Sequence, residues 1–318
     1  MKRYTLLWAA LALAAPAFAQ TPPQGRPAQT PAFTPPPNDK IPVGDTGTNS
    51  ADALKRSPRH GEWVDIKMTT GPALKSWVVY PERRDKAGVV LVIFDIFGMG
   101  DWARAVGDQL AKDGFIAIVP DFLSGKGPNG GGSEELGTQV GSVIRTLTPA
   151  DLNARLDAAM AYGKSLPSSN GKTATIGFCW GGGVSVGYAV AQPNLSAAAV
   201  YYGTPPMSAP PLPPPPPAGS QGAPPPARGA GGPQAVDAAA LKNIKAPVMG
   251  FYGGNDARVT STVESTAAKM KELGKSYVPH VFDGAGHGFL KNQATEANYK
   301  AATEAWPLTI AFLTKNLK

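Results

Sequence analysis

The run Gly177-Phe178-Cys179-Trp180-Gly181 sets the only cysteine of this 318-residue chain between glycines, at the end of a strand-like segment that begins at Thr173. This is the sequence form of a nucleophile elbow, where the reacting side chain sits on a sharp strand-to-helix turn and small flanking residues let the backbone pass closely. Attack by a cysteine on a carbonyl needs a base to take or hold the thiol proton, a group to orient that base, and N–H donors for the developing oxyanion. His287 is the candidate base, because it lies in the glycine-flanked loop Gly286-His287-Gly288, whereas His60 precedes the first strand and His280 falls inside a strand pattern. Asp256, after Gly253-Gly254-Asn255, is the candidate to fix the tautomer of His287.

Each assignment has a structural alternative. A lone cysteine is commonly a small apolar packing residue, or one half of an intermolecular disulfide. Asp256 also suits the N-cap of a helix beginning near Thr260. Asp283 is a second acid, four residues before His287 at the exit of its own strand, where a turn is expected. Asp121, after Pro120, is expected to satisfy backbone donors in its loop. The cluster Gly125 to Gly132 lacks the Gly-Lys-Ser/Thr ending of a phosphate cradle and is read as a mobile rim over the site. Three histidines and one cysteine without zinc-site spacing imply no metal, and no organic cofactor is expected.

The elements that must position these residues alternate between strand and helix. Glu62 to Met68 and Leu74 to Tyr80 read as an opening antiparallel pair joined through Thr70-Gly71-Pro72. Val89 to Phe94 is a continuous apolar run, the pattern of a strand buried on both faces. Further strands are expected at Phe115 to Val119, Thr173 to Phe178, Ala197 to Tyr202, Val248 to Tyr252 and Ser276 to Phe282. Helices are expected at Trp102 to Lys112, Pro149 to about Leu166, after Cys179, at Thr260 to Leu273 and from about Glu296 to Asn316. Strands separated by single helices imply an α/β fold: βαβ units forming a mostly parallel sheet with helices on both faces. Function in such sheets gathers beyond the carboxyl ends of the strands, where Asp95, Cys179, Asp256 and His287 all fall.

Composition sets the organisation and destination. Lys2 and Arg3, an apolar stretch from Leu6 to Ala15, and Ala17-Phe18-Ala19 read as a secretory signal peptide over residues 1–19, so the chain is expected to be exported, to the periplasm or beyond. That run is too short for a membrane span, and no other segment is long and apolar enough. Residues 20–57, rich in Pro, Thr, Gln and Gly, read as an extended disordered spacer, and residues 58–318 as one domain. A Pro/Gly-rich excursion at about 205–233 interrupts that domain and is expected to stay flexible. The net charge of +7 becomes +7 − 2 = +5 without Lys2 and Arg3, with the basic residues scattered, which argues against a nucleic-acid partner.

Seven blocks, in order, carry a family resemblance: Phe94-Asp95-Ile96-Phe97-Gly98; Ala111-Lys-Asp-Gly114-Phe115 with Val119-Pro120-Asp121-Phe122; Ser169-Asn-Gly-Lys172; Gly177-Phe178-Cys179-Trp180-Gly181-Gly182; Tyr201-Tyr202-Gly203; Gly254-Asn255-Asp256; and Gly286-His287-Gly288-Phe289. Together they resemble the dienelactone hydrolase family over roughly Glu62 to Leu317. The resemblance implies an α/β-hydrolase fold and a Cys-His-Asp triad, which maps onto Cys179, His287 and Asp256. It implies oxyanion donors at the backbone N–H groups of Trp180 and Ile96. It also implies a thiol-modulating acid at Asp95, where dienelactone-type members carry the longer glutamate, and a substrate contact at Lys291, where they carry arginine. Lysine is a point charge without the guanidinium fork. Arg145 lies in the broad region of the family's second arginine without aligning to it, and Tyr202 is an aromatic candidate for the pocket lining. The expected activity is hydrolysis of a small-molecule ester or lactone through a thioester acyl-enzyme, by a chain expected to be monomeric. Alternatives are a general carboxylesterase or thioesterase and, from another class, a non-catalytic envelope binding protein on the same fold.

Overall fold

The computed structural model describes residues 33–208 and 235–318. The expected signal peptide, the first part of the expected spacer and nearly all of the Pro/Gly-rich excursion lie outside the described residues. Eight strands form one sheet: β1 (Gly61–Ile66), β2 (Leu74–Val79), β3 (Ala87–Ile93), β4 (Ile116–Pro120), β5 (Ser169–Phe178), β6 (Ala197–Tyr201), β7 (Val248–Gly253) and β8 (Tyr277–Phe282). Their order is β1-β2-β4-β3-β5-β6-β7-β8. β1 pairs antiparallel with β2 and β2 with β4, while every other pairing is parallel.

The longer helices are α1 (Asn49–Arg56), α2 (Asp101–Lys112), α5 (Pro149–Ser165), α6 (Trp180–Ala191), α9 (Val263–Glu272) and α10 (Glu296–Asn316). Single turns α3 (Ser133–Leu136), α4 (Val140–Val143), α7 (Ala238–Leu241) and α8 (Ala257–Thr260) lie between them. Every residue of β3, β4 and β6 is buried, as the unbroken apolar runs imply. Gly107 of α2 sits against the side chains of Ala117 and Val119, and Gly163 of α5 against that of Ile118. Alternate residues of a strand point to opposite faces, so α2 and α5 cover opposite faces of the sheet. Each Val, Leu or Ile enclosed this way contributes about 1.5–3 kcal/mol. No described helix is long and apolar enough to cross a membrane.

Two expectations about the chain's periphery need correction. Residues 33–57 are not an extended spacer: Ile41 is buried, and α1 packs on α2. Trp102 Nε1 donates to the Val43 carbonyl at 3.0 Å, Gln293 Nε2 to that of Pro42 at 2.9 Å, and Asp45 N–H to that of Lys291 at 2.8 Å. The segment is anchored through its carbonyls by polar groups of the domain, a mode of attachment that leaves no apolar period in its own sequence. The glycine cluster is likewise not a rim of the cavities at Cys179. It folds over Asp121, whose carboxylate accepts Leu123 N–H, Ser133 N–H and the Ser133 hydroxyl at 2.6–3.0 Å. Asp121 thus has the loop-satisfying role expected of it. On either side of the residues not described, Met207 and Val236 form an antiparallel bridge. The helix expected over Thr260 to Leu273 is α9, which begins at Val263 after the separate single turn α8.

Candidate active site

β5 runs into α6 through Cys179, whose φ of 55° and ψ of −113° make it one of three non-glycine residues with positive φ among those described. Such a conformation costs on the order of 1–3 kcal/mol and persists only where the surroundings impose it. Here a Cβ on Gly177 would lie 2.0 Å from the Gly181 carbonyl oxygen, and one on Gly181 would lie 2.3 Å from those of Ile93 and Phe94. The flanking glycines therefore let α6 begin directly against β3 and hold the thiol above the strand end. Cys179 N–H is tied to the Tyr201 carbonyl at 3.0 Å. Trp180 opens α6, so its N–H is among those with no partner inside the helix, at the end where the helix dipole favours negative charge.

The loops after β7 and β8 bring the other two groups together. His287 Nδ1 lies 2.5 Å from Asp256 Oδ2, and Asp256 is 7% exposed. Asp256 stands at the N-cap position of α8 but makes no side-chain cap; its carboxylate goes to the imidazole instead. Asp283 sits in the turn after β8. The Cys179 sulfur raises the His287 pKa most, burial opposes the rise, and Asp256 adds to it. An imidazole with that balance accepts a proton more readily than a free one, and Nδ1 is the nitrogen already committed.

Two cavities meet at Cys179 and Tyr202. One, of about 600 Å³, is lined by Ile96, Arg145, Leu152, Trp180, Tyr188 and Arg258 as well. The other, of about 420 Å³, has Asp45, Asp95, Phe97, His287 and Lys291 on its walls. Tyr202 is buried, has a φ of 40°, and sets its ring edge-on to His287 at 5.1 Å between centroids. Its hydroxyl has no hydrogen-bond partner among the described residues. Burial first, then the neighbouring Asp95 carboxylate, push its pKa well above the ordinary tyrosine value, so the phenol keeps its proton.

Asp95 follows β3 and is 6% exposed. One carboxylate oxygen accepts Phe97 N–H at 2.9 Å and the other accepts Lys291 Nζ at 2.9 Å. Lys291 Nζ also lies 3.4 Å from Asp45 Oδ2, and 4.9 and 5.3 Å from the ring centres of Phe97 and Trp102. The residues singled out in the sequence, Cys179, Asp256, His287, Asp95, Ile96, Trp180, Tyr202 and Lys291, thus gather at one edge of the sheet. Asp45 was not among them, since it lies in a segment whose composition carries no sign of packing. Arg258 was missed too, although its place two residues after Asp256 is a local signal that could have found it.

A strand-to-helix elbow on a mostly parallel eight-stranded sheet, with a buried acid and a histidine on the loops after the last two strands, defines the α/β-hydrolase class. Residues 74–317 match the model of the dienelactone hydrolase family, and the chain belongs to that family, a hydrolase acting on ester bonds. A curated relative from Synechocystis sp., named "Putative carboxymethylenebutenolidase", is 28% identical over 259 residues, covering 76% of this chain and 94% of its own. The crystal structure of dienelactone hydrolase from Anabaena variabilis superposes with a TM-score of 0.57 at 20% identity, covering 82% of this chain and 99% of that one. A dienelactone hydrolase-like promiscuous phosphotriesterase from metagenomic libraries gives 0.63 at 18% identity, over 82% and 99%.

Proposed function

We propose that this chain hydrolyses a small ester or lactone through a thioester formed on Cys179. The observation that carries the reading is the buried Asp256 carboxylate 2.5 Å from Nδ1 of a histidine that shares a cavity wall with the elbow cysteine. With Nδ1 committed to Asp256, Nε2 is left to work on the thiol. The Cys179 sulfur attacks the carbonyl carbon, and the thiol proton is held on Nε2. The oxyanion is received by the N–H groups of Trp180 and Ile96, the first at the positive end of α6. Collapse breaks the C–O bond, and the proton on His287 goes to the departing alkoxide. A water molecule then gives a proton to Nε2 and attacks the thioester, and the acid departs as Cys179 recovers its proton. Asp256 holds the tautomer and offsets the imidazolium charge.

Cys179→Ala is the direct test. The purified variant is expected to lose p-nitrophenyl acetate hydrolysis, and the wild type to show a mass increase of one acetyl group on Cys179 after a rapid acid quench. Unchanged turnover in the variant would sink the reading and favour a non-catalytic binding role. Export belongs to the same proposal, supported by the basic start, short apolar stretch and Ala17-Phe18-Ala19. It predicts a mature N-terminus at Gln20, read by mass spectrometry of the protein from the cell envelope.

A further inference from the structure

The second cavity at Cys179 has an unusual charge arrangement. Its only lysine, Lys291, is held on one side by Asp95 at 2.9 Å and on another by Asp45 at 3.4 Å. Phe97 and Trp102 present their rings to the same ammonium. Asp45 sets a second carboxylate against the one ammonium, so this wall is one charge more negative than Lys291 and Asp95 alone would make it. Lys291 itself is a positive group whose approaches are already occupied.

Asp45 does not reach this place by chance extension of a surface acid. Its N–H donates to the Lys291 carbonyl at 2.8 Å, and its other carboxylate oxygen accepts the Ser50 hydroxyl at 3.0 Å from the first turn of α1. The backbone before it is pinned at Pro42 by Gln293 and at Val43 by Trp102, the same tryptophan whose ring faces Lys291. The carboxylate is thus set from the N-terminal segment onto a cavity built by the loops after β3 and β8, and four backbone or side-chain hydrogen bonds hold it there.

We infer that Asp45 is a specificity-determining residue: by sharing Lys291 with Asp95, it makes the smaller of the two cavities at Cys179, the one without Arg145 and Arg258, select electrically neutral acyl groups over carboxylate-bearing ones. This deepens the hydrolase reading above and rests on it. An anionic substituent directed at this wall meets surplus negative charge and a lysine that would have to abandon two partners to receive it. A neutral group meets no such repulsion and can rest on the rings of Phe97 and Tyr202 on the same wall. Asp45→Asn keeps the shape and the Ser50 and backbone contacts but removes the surplus charge, so that one unit of positive charge on Lys291 balances Asp95 alone.

The lone cysteine offers a test that does not depend on turnover. Iodoacetamide and iodoacetate alkylate the same thiolate and differ in charge, so the ratio of their rates at Cys179 cancels any change in thiol ionisation. In the full chain, that ratio is taken relative to the ratio for free cysteine. It should fall roughly three- to tenfold in Asp45→Asn, the scale of one charge acting across a partly solvated cavity. Wild type in about 0.5 M salt should move toward the variant. A ratio unchanged within about twofold overturns the inference, as does an equal change in both rates. Comparison of p-nitrophenyl butyrate with p-nitrophenyl hydrogen succinate, uncatalysed rates subtracted, should shift kcat/KM in the same sense. If the alkylation ratio shifts but wild type and Cys179→Ala hydrolyse both esters equally, the hydrolase reading fails and the role of Asp45 stands.

Discussion

Replacing Asp256 by Asn probes the reasoning about His287 most severely. The carboxylate is buried and its oxygen lies 2.5 Å from Nδ1 of the half-buried imidazole, so the pair makes a charge-assisted hydrogen bond. Such a bond contributes about 1.5–3 kcal/mol to the imidazolium form, a factor of roughly 10 to 150 in rate if the transition state carries that charge. Asparagine can also donate to Nδ1, which places the ring proton on Nε2 and disables the base. Loss of tautomer control brings the expected fall in kcat to about 10³–10⁴. The assay is the pH profile of kcat/KM for p-nitrophenyl acetate. In the wild type the acid limb should have its midpoint above the ordinary histidine value of about 6.5, because Cys179 and Asp256 raise His287 against the effect of burial. In the variant that midpoint should move down. Stability must follow with a definite sign. A histidine whose folded pKa is raised stabilises the fold below its ordinary value, and that contribution is lost as pH rises through the folded value. Asp256→Asn should therefore cost more stability near pH ~5.5 than near pH ~9 in urea titrations. A fall in kcat of less than about tenfold, or an unmoved acid limb, would refute the assignment.

Two further outcomes are expected. Gly181→Ala forces a Cβ to within 2.3 Å of two backbone carbonyl oxygens, so α6 cannot seat on β3; a loss of at least about 2 kcal/mol is expected in urea unfolding, and near wild-type stability would contradict the close approach. Tyr202→Phe removes a buried hydroxyl with no partner among the described residues, so stability should hold or rise by up to about 1 kcal/mol. Its kcat for p-nitrophenyl acetate should fall if the phenol donates to a reacting group, and equal loss of stability and activity would reveal a packing role instead.

Much of the fold was legible because burial on both faces writes itself into a strand as an unbroken apolar run. Val89 to Phe94 foretold β3, the pattern from about Glu296 to Asn316 foretold α10, and the glycines around Cys179 foretold an elbow. The antiparallel opening pair and the gathering of chemistry beyond the strand ends were legible for the same reason: period and punctuation are local properties. The start of α9 at Val263, after a separate turn ending at Thr260, was not, since the turn at Ser261 and Thr262 leaves the apolar spacing of that stretch intact.

Sequence alone therefore determined the layered α/β architecture, the nucleophile candidate and the two loops from which an acid and a base could come. Tertiary structure decided which groups meet. Asp256 and Asp283 are both acids at strand exits, and only the course of the chain after β7 places one of them on His287. Lys291 and Asp95 stand 196 residues apart, and their pairing exists because β3 lies at the middle of the sheet while the loop after β8 folds back over that strand's end. Asp45 is the clearest case. Residues 33–57 carry no periodic apolar face, because they are bound through backbone carbonyls by Trp102 and Gln293, side chains whose targets no local pattern records. A hydrogen bond from a distant residue to a main-chain oxygen leaves no trace in the identity of the residue that receives it. From what the sequence reads as a solvated spacer, Asp45 reaches the wall of a cavity at Cys179 in the folded chain.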